Sequence, residues 1–140
     1  MARLLLQAST DAEDVSSGLQ VFLDHIPQRE TDLEGCIEEL LTVAAALREM
    51  AENHPEYDTI SQRLTMDVKM CVRSLGFTLQ KVRAMFRETR NVKYNGERPY
   101  RRAWEDLEQY LKEQERAPSL LARLETYSIF LQIIMDLLDG

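Results

Sequence analysis

The chain reads as an all-α protein, an antiparallel bundle of about five helices around one long central helix. Three observations predict this. Apolar residues recur at steps of three and four along almost the whole length, which is the period of one helical face. No segment alternates apolar and polar residues as a half-buried strand does. The punctuation (Pro27, Pro55, Asn95-Gly96, Pro118) falls between the periodic stretches, where helices stop and start. With 140 residues, 44% of them hydrophobic, the chain suits one domain with a core of its own.

Residues 1–10 read as an N-terminal lead, packed on the bundle or mobile, ahead of a single helical domain over residues 11–140. Thr10-Asp11-Ala12-Glu13 has the form of a capping box, in which hydroxyl and carboxylate satisfy open backbone N–H groups. Val15, Leu19, Phe22 and Ile26 then mark a first helix, ended by Pro27, which pushes its predecessor out of helical angles. A second such box, Thr31-Asp32-Leu33-Glu34, opens a helix whose stripe is Leu33, Ile37, Leu40, Ala44, Leu47 and Ala51. The run Ala44-Ala45-Ala46 favours helix and leaves room for a close neighbour.

The long helix is expected from Tyr57 to Arg90. Its stripe is Tyr57, Ile60, Leu64, Val68, Cys71, Leu75, Leu79, Val82 and Phe86, and thirty-four helical residues would span about 50 Å. Gly76 is the interior position where it could bend, but the apolar spacing keeps its phase there, so a nearly continuous helix is expected, with the other helices packed against it. Asn95-Gly96 is a turn, and Pro99 suits the first turn of the next helix, whose buried side is Tyr100, Trp104, Leu107 and Leu111. After Ala117-Pro118-Ser119 the last helix carries Leu120, Leu124, Tyr127, Leu131, Ile134 and Leu138, with Phe130, Ile133, Met135 and Leu137 beside them. Its second half is apolar almost all round, so it is either central or continued into a partner.

The residues point away from catalysis. There is no glycine-rich phosphate loop, no G-x-S-x-G, no H-E-x-x-H and no cysteine-pair metal motif. Neither His25 nor His54 has a Glu three positions before it, as a di-iron carboxylate bundle requires. Cys36 and Cys71 each lie on the apolar stripe of their own helix, where a thiol acts as a small hydrophobe. No catalytic residue, metal site or cofactor is assigned. A net charge of −7 opposes general nucleic-acid binding, which needs a basic surface. No run reaches the ~20 apolar residues of a membrane span, and three leucines at the start are too few for a signal-peptide core, so a cytoplasmic location is expected. The ending Asp139-Gly140 without a tail suggests a domain excised from a longer protein.

The charge is uneven. From Lys81 to Arg102 eight basic residues face two acidic ones, a local balance of +6 that leaves −13 elsewhere. Arg83, Arg87 and Arg90 share one helical stripe; Lys93 and Arg98 lie beyond it; Arg101 and Arg102 stand in a first helical turn, where the helix dipole opposes cations. Pairing with acidic neighbours is one explanation. The other is a docking surface for an acidic protein segment, an anionic lipid surface or phosphate groups. Trp104 shares the phase of Tyr100, Leu107 and Leu111, which makes it core rather than an interface anchor.

The stripe Leu33-x3-Ile37-x2-Leu40-Leu41, the middle helix with Cys71-x3-Leu75-x3-Leu79, and Arg101-Arg102-Ala103-Trp104 leading to Leu120-Leu121-Ala122-Arg123-Leu124-Glu125 resemble one family over about residues 11 to 139. It is the N-terminal helical, HeLo-like domain of fungal STAND/NACHT-type signalling proteins. The resemblance implies an adaptor or effector module placed before a nucleotide-binding or repeat region, without catalytic residues. Some HeLo members permeabilise membranes with an apolar N-terminal helix; Met1 to Gln7, short and polar beyond Leu6, does not match that element. The reading is a non-enzymatic protein-interaction domain whose partner is another protein or a second copy. The alternative is a peripheral membrane module using the basic 81–102 region.

Overall fold

The computed structural model describes residues 1–27, 31–53, 62–90 and 97–139. Within them lie five helices and no strand: α1 (Ala2–His25), α2 (Leu33–Asn53), α3 (Gln62–Arg90), α4 (Glu97–Gln114) and α5 (Leu120–Asp139).

Helix α1 corrects the reading of the N-terminus. It begins at Ala2, so Thr10 and Glu13 stand in its interior and the capping box does not form. Residues 2–10 are its first turns, with Leu5 and Ala8 in the core. The physical reason is that Leu5, Ala8 and Ala12 extend the stripe of Val15 and Leu19 backward in phase. Helix α2 begins one residue later than its box implied. Asp32, whose carbonyl receives the Cys36 N–H, precedes it, and the Thr31 hydroxyl oxygen is buried with no hydrogen-bond partner among the described residues.

Helices α1 and α2 form the closest pair. Ser9, with Ala12 and Ser16 on the same side of α1, faces the alanine-rich side of α2, and small side chains let two backbones approach. The Ser9 hydroxyl, fully buried, donates to the Ala44 carbonyl at 2.7 Å. At the rim Arg48 pairs with Glu13 at 2.9 Å.

Helix α3 is the longest and runs unbroken through Gly76; the expected start at Tyr57 falls outside the described residues. It touches α1, α4 and α5, whereas α2 packs chiefly on α1 and α5. The expectation that every other helix packs on α3 thus holds for α1, α4 and α5 and is corrected for α2, which α1 and α5 cover instead; α3 leaves Met66, Met70 and Phe77 in solvent. A Cβ added at Gly76 meets no atom within 4 Å, since the position opens on the shallow groove between α1 and α3. Gly76→Ala should therefore stabilise the domain by about 0.5–1 kcal/mol, the helix-propensity difference, read as a higher urea midpoint at unchanged slope.

Helices α4 and α5 divide the length of α3 between them. Lys81 lies over the Tyr110 ring at 4.6 Å, and about two turns further along α3, Glu88 lines a cleft with Ala103. Tyr127 of α5 reaches Ser74 and Thr78, and Phe130 lies beside Met70 and Cys71. Both helices thus run opposite to α3, one following the other. Their junction turns at Arg116, which takes a positive φ of 54° while the Ala117 N–H folds back on the Leu111 carbonyl. Beyond it the Ser119 hydroxyl caps α5 by accepting the Ala122 N–H at 3.0 Å. Glu108 of α4 accepts the Leu120 N–H at 3.3 Å.

Candidate functional site

The basic residues singled out by sequence are divided by the fold. Arg83 turns toward α1 and pairs with Asp11 at 3.2 Å. Arg87 and Arg90 point outward at the end of α3, and Arg98 and Arg102 are exposed at the start of α4. Arg98 and Arg102 line one cleft with Glu88 and Asp106, so acidic side chains share that surface. Arg101 is half-buried and engaged with its surroundings. Lys93 lies outside the described residues. Trp104 is core, 5% exposed, and Cys36 and Cys71 are free thiols. Burial pushes both thiols up, Cys71 to about 11 and Cys36 further still, with Asp32 adding to the effect. Neither has the electropositive setting that activates a cysteine.

A second surface was not among the sequence-derived candidates. Met66, Met70 and Phe77 on α3, with Ile129, Ile133 and Leu137 on α5, are each 53 to 66% exposed. At 100° per residue, the α3 trio lies on the side of that helix next to its contact with α5. On α5, Ile133 and Leu137 flank Phe130, which shares a groove with Met70, Cys71, Thr126 and Tyr127. Five of these side chains therefore form one apolar face astride the α3–α5 groove, and Ile129, about 100° around α5 from Phe130, lies at its outer edge.

Beneath the groove a polar network holds the two helices in register. The Tyr127 hydroxyl lies 2.8 Å from both the Ser74 and Thr78 hydroxyls, and Arg123 Nε donates to it at 3.0 Å. Arg123 also reaches Glu115 at 3.4 Å. Each of the three hydroxyls has a partner, and a satisfied network rigidifies what it joins. The face is thus presented on a fixed frame.

The flanks differ in charge. On α3 the side away from the groove carries exposed Lys69 and Arg73, and on α5 the far side carries exposed Glu125 and Asp136. Among the described residues no group of His, Cys, Asp and Glu could hold a metal ion, and no helix is long and apolar enough to cross a membrane. The one carboxyl strongly perturbed among them is Glu108, pushed up to about 7 by burial first and by Asp32 second; its place at the α4–α5 junction is that of a cap. No family model, no curated protein and no solved structure matches the chain.

Proposed function

We propose that the chain is a non-enzymatic protein-interaction domain, an adaptor or signalling module, that binds through the α3–α5 face. The observation that carries this reading is the exposure of five large apolar side chains, Met66, Met70, Phe77, Ile133 and Leu137, on the sides of α3 and α5 that border one groove. Soluble monomers rarely leave a contiguous apolar patch beyond a few hundred Å² uncovered. Covering each such side chain yields roughly 1.5–3 kcal/mol, and methionines suit a surface that must adapt to its ligand. Kinship with HeLo-like domains and a cytoplasmic location belong to the same proposal, resting on the Trp104 to Glu125 resemblance.

One observation favours a second reading. Arg87, Arg90, Arg98 and Arg102 are exposed near one another in the chain's only strongly basic stretch, which an anionic membrane would attract. Two experiments decide. A photo-cross-linking residue at Met70 or Ile133 should yield discrete protein adducts in cells, and one at Glu49 on α2 should not. Co-sedimentation with anionic phospholipid vesicles should be negligible at physiological salt. Vesicle binding that high salt abolishes, and that Arg87→Glu with Arg102→Glu removes, would replace the first reading by the second.

A further inference from the structure

We infer that the partner of the α3–α5 face is a second copy of this chain, related by a two-fold axis lying along the groove. The inference rests on reading this face as a protein-docking surface and adds what docks there. Across the face the order is basic rim (Lys69, Arg73), apolar side of α3, groove, apolar side of α5, acidic rim (Glu125, Asp136). A two-fold axis parallel to the groove reverses that order in the facing copy. Each basic rim then meets an acidic rim, twice over, and each Met70 meets the Ile133 side of the other copy. An in-plane axis at right angles to the groove would set like charges against each other, so charge selects one arrangement.

The levels along the helices agree to within about a turn. Tyr127 is level with Ser74 and Thr78, and Phe130 with Met70. Because the axis preserves height, Arg73 falls opposite residues 128–130, about a turn from Glu125, and Lys69 opposite residues 131–134, about a turn short of Asp136, a gap that a long basic side chain spans. These charges are available: among the described residues neither Lys69, Arg73 nor Glu125 takes part in an ion pair, and Asp136 receives only the Gln132 amide of its own helix. The basic residue of α5, Arg123, is committed to Tyr127 and Glu115. An anionic membrane fits less well, since Glu125 and Asp136 border the apolar face and would be repelled.

Sedimentation equilibrium of the purified chain over a wide concentration range tests the inference. A reversible dimer is expected. Ile133→Asp should be monomeric while keeping its helical circular dichroism, because Ile133 is solvent-exposed in the single copy. Arg73→Glu alone and Glu125→Arg alone each place two like-charged contacts in their own dimers, and each should dimerise at least tenfold more weakly. Mixed one to one, they should form a heterodimer of near wild-type affinity, in which both contacts are again opposite in charge. A wild-type chain that stays monomeric throughout, or a dimer indifferent to Ile133→Asp, would overturn the inference. So would a mixture that associates no better than its components. Such a failure leaves the docking role standing if Met70 still cross-links to another protein, whereas salt-sensitive vesicle binding removes both.

Discussion

Replacing Phe22 by Ala is expected to lower the unfolding free energy by about 3–5 kcal/mol. Phe22 is 2% exposed and joins three helices. From α1 it meets Phe86 of α3 with ring centroids 5.7 Å apart. Tyr100 of α4 meets it edge-on at 5.1 Å, and Tyr100 in turn stacks on His25 at 4.1 Å. Phe86 packs directly on Gly18, where an added Cβ would come within 2.3 Å of its ring, so moving it into the space would give up that contact. The cavity left by Ala therefore persists, and its cost adds to the lost transfer energy. A domain of this size has only about 5–15 kcal/mol in total, so much of the stability should go. Urea denaturation followed by circular dichroism reads it as a lower midpoint at unchanged slope. Phe22→Leu keeps most of the volume and should cost less than about 1.5 kcal/mol. Near-equal midpoints for the two variants would show that the aromatic cluster does not tie α1 to α3 and α4.

How far the fold was legible depends on what each signal measures. Stripes of Leu and Val at helical spacing placed α2, α4 and α5 to within a residue or two and kept α3 continuous across Gly76. The start of α1 was missed because, Leu5 apart, its inner face is made of Ala8, Ser9 and Ala12, which carry little hydrophobic weight; Ser9 matters through its bond to Ala44 and Ala8 borders the groove to α3. Thr10-x-x-Glu13 imitated a cap, since the same residues serve equally well on a solvated helix flank. The basic cluster looked like one surface because its members are close in sequence; the fold turns Arg83 toward Asp11 and sets Glu88 and Asp106 among Arg98 and Arg102. Periodicity states which residues can enter a core but not how much cover the other helices supply. The all-round apolarity of α5 was the available sign of that excess. Met66, Met70 and Phe77, off the main stripe of α3, were the other half of it.

A rise from about pH 5 to about pH 8 should weaken the wild-type fold more than that of Glu108→Gln. Burial and the neighbouring charge of Asp32 push the Glu108 carboxyl from its ordinary 4.5 to about 7, although the Leu120 N–H favours the ionised form. Between those two values the folded chain holds a proton that the unfolded chain has already released. The contribution is complete below the lower value, falls as pH rises through the window, and is gone above the upper one. Glu108 is partly open to solvent, in a cleft it shares with Arg101, Glu105 and Lys112, so screening reduces the effect to on the order of 1–2 kcal/mol. Gln retains a carbonyl oxygen to accept the Leu120 N–H, and the cap on α5 survives while the titration disappears. Asp32→Asn tests the second cause separately: Asn caps a helix as well as Asp does, so α2 should be undisturbed and the slope reduced. Urea midpoints of the three proteins across this range are the measurement. A slope that persists undiminished in Glu108→Gln would assign the pH dependence to another group and leave the carboxylate at the α4–α5 junction a cap alone.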